Sequence, residues 1–92
     1  MTRNILVTGA ASGIGAEICK KLASKETNFL VHTRSNKQGL DRIVRYIENV
    51  GGRAEQKISD LSIRGEGRQL IKEAVQHFDG LDIIIANAGY AN

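Results

Sequence analysis

The chain has 92 residues, which fits one small domain and leaves no room for a separate substrate domain. Hydrophobic residues make up 41% and charged residues 25%, as in an ordinary globular protein, and the basic residues behind the net charge of +3 are scattered, which argues against a nucleic-acid partner. The single Cys19 excludes an internal disulfide, and no long apolar run predicts a signal peptide or a membrane span. We therefore expect a cytoplasmic protein without a membrane partner.

The chain begins with a predicted strand, a glycine turn and a helix. The strand is the apolar run Asn4–Thr8, which stops at Gly9. A helix follows, because apolar residues recur every four positions at Ile14, Ile18 and Leu22. The small residues Cys19 and Ala23 lie beside this apolar face.

A second strand and a second helix repeat this pattern. Residues Phe29–Thr33 form the next apolar run, and a polar stretch separates it from the helix. The apolar stripe of that helix comprises Leu40, Ile43, Val44 and Ile47. Gly51 and Gly52 end the helix, because glycine permits the positive φ of a C-terminal turn.

The last predicted elements are an edge strand, a helix and a buried strand. Arg53–Ser59 has only two apolar residues, which suits a sheet edge, and Leu81–Ala86 is a nearly continuous apolar run typical of a strand covered on both faces. Between them a third helical stripe comprises Leu70, Ile71, Ala74, Val75 and Phe78. The alternation predicts an α/β protein with a Rossmann-type doubly wound parallel sheet, four strands in the order 3-2-1-4 and three helices.

The turn between the first strand and the first helix reads Thr8-Gly9-Ala10-Ala11-Ser12-Gly13-Ile14-Gly15. A pyrophosphate can bind at such a turn, because free backbone N–H groups and the positive end of the helix dipole point at it. Gly9 permits the tight turn, Gly13 lets the anion approach the backbone, and Gly15 lets the helix pack on the strand. We predict dinucleotide binding at Gly9, Ala11, Ser12, Gly13, Ile14 and Gly15. The alternative is a plain turn in which Ser12 caps the helix.

Three motifs together resemble those of the classical short-chain dehydrogenase/reductase family. The turn TGAASGIG resembles TGxxxGIG, and Asp60-Leu61 resembles the aspartate-hydrophobe pair that follows the third strand. Ala86-Asn87-Ala88-Gly89 resembles the NNAG motif, with Ala86 in place of the first Asn. The likeness covers the whole chain and is nearest to 3-oxoacyl-carrier-protein reductases. It implies an oxidoreductase that reduces a carbonyl substrate by hydride transfer, with 3-oxoacyl-carrier-protein as one candidate.

The resemblance also implies roles for the residues that follow the third and fourth strands. Asp60 would hydrogen-bond the adenine amino group, and the backbone of Leu61 would meet the adenine ring. Asn87, Ala88 and Gly89 would lie along the cofactor ribose and brace the central strand. Taken without the resemblance, Asp60 also fits a helix cap and Asn87 a strand-ending turn.

The end of the second strand indicates which dinucleotide is preferred. A site for NAD(H) usually places a carboxylate there, which accepts a hydrogen bond from the ribose 2′-hydroxyl and would repel a 2′-phosphate. This chain has Thr33, Arg34 and Ser35 there, with no acidic residue before Asp41. Arg34 can bind a phosphate through charge-assisted hydrogen bonds, and Ser35 adds a neutral donor. We predict NADP(H) over NAD(H); the alternative is that Arg34 is a solvated loop residue.

The 92 residues offer no candidate for catalysis. In the resembled family a Tyr supplies the proton, a Lys four residues later lowers its pKa, and a Ser and another Asn complete the site. Neither Tyr46 nor Tyr90 stands four residues before a lysine. No residues have metal-ligand spacing, and we expect His32, His77 and Cys19 to be structural. The chain by itself is expected to bind the cofactor without turnover.

Two hypotheses remain for the chain as a whole. In the first, residues 1–92 are the N-terminal half of a dinucleotide-binding domain, truncated from a carbonyl reductase. In the second, the chain is a complete non-catalytic nucleotide-binding or interaction module. Truncation would leave the fourth strand, with Ile83, Ile84 and Ile85, at a sheet edge, where we expect homo-oligomerisation or other self-association.

Overall fold

In a computed structural model of the chain, which describes residues 2–87, strands and helices alternate strictly. The elements are β1 (Arg3–Thr8), α1 (Gly13–Leu22), β2 (Thr27–Thr33), α2 (Lys37–Asn49), β3 (Arg53–Ile58), α3 (Glu66–Phe78) and β4 (Ile83–Ala86). All pairs are parallel, and the order across the sheet is β3-β2-β1-β4. The predicted Rossmann-type doubly wound sheet, its strand order and its three helices are confirmed.

The strands β1 and β2 build two apolar layers, because successive side chains of a strand point to opposite faces of the sheet. One layer contains Ile5 and Val7 of β1 with Phe29 and Val31 of β2, and α1 and α2 cover it. The opposite layer contains Leu6 and Leu30, and α3 covers it with Leu70 and Ala74. The sheet therefore has helices on both faces, as a doubly wound fold requires.

The first layer is the larger of the two. The predicted stripe of α2 is confirmed, since Leu40, Ile43 and Ile47 are buried and Val44 packs against them. Cys19 of α1 is buried in the same layer, and this burial raises the pKa of its thiol to about 12. The thiol is thus held protonated at neutral pH, which agrees with the predicted structural role.

Two of the predicted helix faces differ from the observed ones. The side chain of Ile14 is 70% exposed, because α1 begins at Gly13 and turns Gly15 and Cys19 towards the sheet. In α3, Leu70 and Ala74 are buried whereas Ile71 and Val75 are exposed. Regular apolar spacing defined the helices correctly, but it overestimated the width of the face that each one buries.

The prediction that β4 is covered on both faces is wrong for the described residues. The strand is Ile83–Ala86 and pairs with β1 alone, so it lies at the edge of the sheet. The side chain of Ile84 is 51% exposed as a result. The prediction that β3 is an edge strand is confirmed. Within residues 2–87, no helix combines the length and the hydropathy that crossing a membrane would require.

Candidate dinucleotide-binding site

The predicted site residues gather at the carboxyl end of the sheet, which comprises the last residue of each strand and the loop that follows it. The glycine turn follows β1, Arg34 follows β2, Asp60 follows β3, and Asn87 follows β4. Since all four strands are parallel, these loops meet on one side of the sheet. In open α/β sheets, ligands bind at this end, beside the strand where the crossovers change direction, which here is β1.

The glycine turn leaves space for an anion. Gly9 and Gly13 have left-handed φ values of 63° and 58°. Apart from the adjoining residues and backbone of α1, no atom of residues 2–87 lies within 4 Å of the place where a Cβ of Gly13 would stand. Ser12 occupies the N-cap position of α1, but its side chain makes no capping hydrogen bond. The first N–H groups of a helix have no intrahelical acceptor, so they can bind a phosphate oxygen above Gly13. The residues present therefore fit a pyrophosphate.

Gly15 and Asn87 close the base of the turn. A Cβ on Gly15 would overlap the carbonyl oxygen of Gly9 and stand 2.7 Å from Nδ2 of Asn87. The same Nδ2 donates to the Gly9 carbonyl at 3.3 Å, and the Asn87 backbone N–H donates to Oγ1 of Thr8 at 3.0 Å. Asn87 therefore ties the end of β4 to the glycine turn.

Five of the predicted residues lie in this turn or at the end of β2. Ala11 is buried, and Ser12, Ile14 and Ser35 are exposed at the carboxyl end of the sheet. Thr33 is buried, with its Oγ1 accepting a hydrogen bond from the backbone N–H of Asn36 at 3.3 Å. Its hydroxyl thus supports the loop that leads into α2.

Arg34 and Asp60 face each other across the ends of β2 and β3. The Arg34 side chain is 69% exposed, and its Nη2 lies 3.5 Å from Oδ2 of Asp60. The exposed guanidinium can exchange this carboxylate for a phosphate, because an exposed ion pair contributes at most about 1 kcal/mol. Arg34 thus stands where a 2′-phosphate contact was predicted, and its exposed position is equally compatible with the alternative of a solvated loop residue.

Asp60 forms a turn and caps no helix. Its Oδ1 accepts from the backbone N–H of Ser62 at 3.0 Å and from its hydroxyl at 2.6 Å, whereas α3 begins only at Glu66. The Ser62 hydrogen bonds, with a smaller contribution from the Arg34 charge, lower the pKa of the Asp60 carboxyl. Asp60 is therefore an ionised acceptor, while the partly buried Leu61 packs against the α3 layer.

His32 is buried, as its predicted structural role requires, but its hydrogen bonds to two of the loops at this end of the sheet were not predicted. Its side chain is 1% exposed, its Nδ1 accepts from the backbone N–H of Gly9 at 3.3 Å, and its Nε2 lies 2.9 Å from the Ser59 carbonyl oxygen. Burial lowers the pKa of His32. A polar residue inside an apolar strand, one position before its end, was the available signal.

The sequence of residues 3–92 matches the family model described as short chain dehydrogenase. The chain belongs to this family. It is 40% identical over 84 residues to an uncharacterized oxidoreductase of Methylorubrum extorquens, covering 91% of this chain and 34% of the relative. It is 33% identical over 89 residues to glucose 1-dehydrogenase 2 of Bacillus subtilis, covering 96% and 34%. The chain thus spans about a third of the length of these curated relatives.

Solved structures of family members share the fold. A short chain dehydrogenase from Burkholderia cenocepacia in complex with NADP superposes with a TM-score of 0.90 at 31% identity, covering 98% of this chain and 37% of that one. A short chain dehydrogenase from Mycobacterium paratuberculosis bound to NAD gives a TM-score of 0.84 at 26% identity, covering 97% and 37%. Members of the short-chain dehydrogenase family with this fold therefore bind either dinucleotide.

Some sequence-based predictions for this short-chain dehydrogenase chain concern residues outside the described range. Ala88 and Gly89, expected along the ribose, lie outside residues 2–87, and so does Tyr90. Tyr46 is a residue of α2, and its ring centroid is 5.8 Å from Nζ of Lys20 on α1. Among the described residues, no group of three His, Cys, Asp or Glu could hold a metal ion.

Proposed function

We propose that this chain is the NADP(H)-binding portion of a short-chain dehydrogenase/reductase that reduces a carbonyl compound. The observation that supports this most directly is the exposed Arg34 guanidinium at the end of β2, on the same end of the sheet as the open glycine turn. The pyrophosphate would be held by the first N–H groups of α1 and by the dipole of that helix. The adenosine 2′-phosphate would be held by Arg34 and Ser35.

The remaining site residues complete this assignment. Asp60 would accept from the adenine amino group, with the Leu61 backbone against the ring, and Asn87, Ala88 and Gly89 would lie along the nicotinamide ribose. The bound nicotinamide supplies or accepts the hydride. The family membership and the two dinucleotide-bound neighbours support a cofactor here, and Arg34 supports NADP(H) over NAD(H).

The reaction itself needs groups that the 92 residues do not provide. Reduction of a carbonyl requires a proton donor at the substrate oxygen, because that oxygen gains negative charge as the hydride arrives. Neither tyrosine has a lysine four residues later. A polypeptide of residues 1–92 is expected to bind the cofactor without turnover, as the N-terminal half of a dinucleotide-binding domain. For the whole protein, 3-oxoacyl-carrier-protein is one substrate to test.

Calorimetric titration of the chain with NADPH and NADH tests this assignment. We expect NADPH to bind more tightly, and Arg34→Ala to weaken NADPH by about tenfold or more, since one charge-assisted contact is worth roughly 1.5 to 3 kcal/mol. NADH affinity should stay within about twofold of the original in the same variant, because NADH has no 2′-phosphate for Arg34 to bind.

The matched control is Arg53→Ala, because Arg53 begins β3 at the opposite, amino end of the sheet. This variant should leave both affinities unchanged. Equal loss of NADPH affinity in the two variants would mean that Arg34 acts only through net charge. Equal affinities of the original chain for NADPH and NADH would contradict the proposed preference.

A second role, as an interaction module that self-associates, is supported by β4. Among the described residues this strand pairs on one side only, and its Ile84 side chain is half exposed. An unpaired apolar strand can add a strand from a second copy. We propose that copies of this chain pair through β4.

A further inference from the structure

The ring of His32 connects two loops of the candidate site. β2 lies between β1 and β3, and His32 is its penultimate residue. One ring nitrogen, Nδ1, accepts from the N–H of Gly9 after β1, while Nε2 donates to the carbonyl oxygen of Ser59 after β3. The imidazole therefore spans from the glycine turn to the residue before Asp60.

Within residues 2–87, the backbone at the end of β2 makes one hydrogen bond to each of these two loops. The His32 carbonyl accepts from the Ala10 N–H at 2.8 Å, and the Thr33 carbonyl accepts from the Ser59 N–H at 3.1 Å. The ring adds a second hydrogen bond to each loop. An aliphatic side chain at position 32 would leave the Gly9 N–H and the Ser59 carbonyl without these partners, and both of these contacts are part-buried.

We propose that His32 is a positioning residue, which fixes the separation of the glycine turn and the Asp60 loop so that both ends of one dinucleotide can bind together. The inference rests on the proposed cofactor binding. It differs from a packing role because the ring bonds to two loops that are predicted to hold different parts of the ligand. Loss of the ring should therefore affect a ligand that spans both loops more than one that reaches a single loop.

Only one protonation state of the ring is compatible with both hydrogen bonds. Nδ1 must present a lone pair to the Gly9 N–H and Nε2 must carry the proton, which defines the neutral Nε2–H tautomer. The charged groups on this face of the neighbouring elements are Lys57 of β3, in register with His32, and Glu73 of α3. They pair with each other at 3.2 Å, and Thr8 on the β1 side is uncharged. The ring bonds to neutral backbone groups on both sides.

The test compares His32→Leu and His32→Gln with the original chain, using two probes. NADPH spans both loops, whereas adenosine 2′-monophosphate lacks the pyrophosphate and reaches only the Arg34 and Asp60 side. We expect His32→Leu to weaken NADPH by about tenfold, since it removes two hydrogen bonds, and the adenosine probe by less than about threefold. Gln can still donate to Ser59, so its loss should be intermediate.

Affinities are measured at a temperature at which circular dichroism shows each variant to be folded. Equal losses for both probes would reduce His32 to a general structural residue and overturn the proposal, as would an unchanged NADPH affinity. If His32→Leu does not fold, the same two affinities are compared for His32→Gln, which should lose more affinity for NADPH than for adenosine 2′-monophosphate.

A spectroscopic measurement separates this proposal from the proposed function. Long-range ¹⁵N–¹H spectra of the original chain at pH 7 should show His32 as the Nε2–H tautomer, with the exposed His77 as an internal reference. If the original chain binds neither dinucleotide but the spectra still show the Nε2–H tautomer, the proposed function is refuted and the hydrogen bonds of His32 are not. A protonated ring or the Nδ1–H tautomer would overturn the positioning role even if NADPH binds.

Discussion

At the scale of single residues, the glycines differ in what a methyl group would meet. A Cβ on Gly15 would overlap the Gly9 carbonyl oxygen and crowd Asn87, whereas none of the surrounding atoms lies within 4 Å of a Cβ on Gly67 in α3. We predict that Gly15→Ala destabilises the chain by about 1 to 3 kcal/mol, because the turn must move to admit the methyl group, and that it abolishes NADPH binding.

Denaturant unfolding and calorimetric titration measure these two effects. The control Gly67→Ala should retain NADPH binding and leave the unfolding free energy unchanged or raise it by up to about 1 kcal/mol, since alanine has a higher helix propensity than glycine and Gly67 lies in the first turn of α3. A Gly15→Ala variant as stable as Gly67→Ala would show that α1 does not pack on the turn as described.

The buried His32 should make stability depend on pH. Burial lowers its folded-state pKa below the unfolded value of about 6.5, so between the two values the unfolded chain binds more protons. The neutral His32 ring therefore contributes to the unfolding free energy fully above about pH 6.5, and this contribution is lost as the pH falls towards the folded-state pKa. We predict that His32→Gln removes this part of the pH dependence of the unfolding free energy.

The measurement is the difference in unfolding free energy between the original chain and His32→Gln, followed from pH 7.5 down to about pH 5. That difference should shrink as the pH falls. The corresponding difference for His77→Gln, a substitution at an exposed position, serves as the control. A difference for His32→Gln that stays constant over this range would contradict a neutral, buried ring.

Motif spacing predicted most of the residues at the carboxyl end of the sheet, because glycine turns and strand ends have recognisable sequence signals. It could not predict the hydrogen bonds of the His32 ring or the ion pair between Arg34 and Asp60. Both depend on how close the ends of neighbouring strands lie, and the register that sets this distance has no local sequence signal. Asp60 was missed as a turn residue for a different reason, because an acid that accepts hydrogen bonds from nearby residues has the same local sequence signal in a turn as at a helix cap.

At the scale of elements, the start of α2 depends on Asn36. Its Oδ1 accepts from the backbone N–H of Gly39 at 3.0 Å, which satisfies one free donor of the first turn. We predict that Asn36→Ala lowers the unfolding free energy by about 1 kcal/mol. Chemical denaturation followed by circular dichroism checks this value. Asn36→Asp retains an acceptor and should stay within about 0.5 kcal/mol of the original; an equal loss in both variants would argue against capping.

Hydrophobic periodicity predicted the existence and type of every element, since spacings of two and of four residues distinguish strands from helices. The exposed Ile14, Ile71 and Val75 show what periodicity cannot supply, because the width of the buried face depends on which neighbouring elements are present. The prediction that β4 is covered on both faces failed for a similar reason, since the side chain of Ile84 is 51% exposed. A continuous β-branched run indicates a strand that suits burial on both faces, but it does not indicate whether a second neighbour covers it.

At the scale of the whole molecule, the unpaired edge of β4 predicts self-association. Ile84→Lys should lower the sedimentation-derived association constant by about tenfold or more, because a charge on an edge strand opposes pairing. The matched control is Ile58→Lys, since Ile58 is an exposed isoleucine on β3, at the other edge. Equal effects of the two substitutions, or a monomeric original chain at high concentration, would contradict pairing through β4.

The strand order was predictable from the alternation of elements. Right-handed crossovers place α1 and α2 on one face and α3 on the other, and this switch brings β4 beside β1. The pairing of Ile5 with Ile83 and of Thr8 with Ala86 agrees with that argument. Global topology was therefore easier to predict than the detail of the site, because crossover handedness is nearly invariant whereas loop contacts are not.

The central claim is that a dinucleotide binds across the glycine turn and the Arg34–Asp60 pair. Titration of the ¹⁵N-labelled chain with NADPH, followed through its backbone amide resonances, tests this claim most directly. We predict saturable shifts of the backbone amide resonances of Gly13, Ile14, Arg34 and Asp60. The amide resonance of Arg53, at the amino end of the sheet, should not shift. Absence of saturable shifts at these residues, or saturable shifts confined to other parts of the chain, would contradict it.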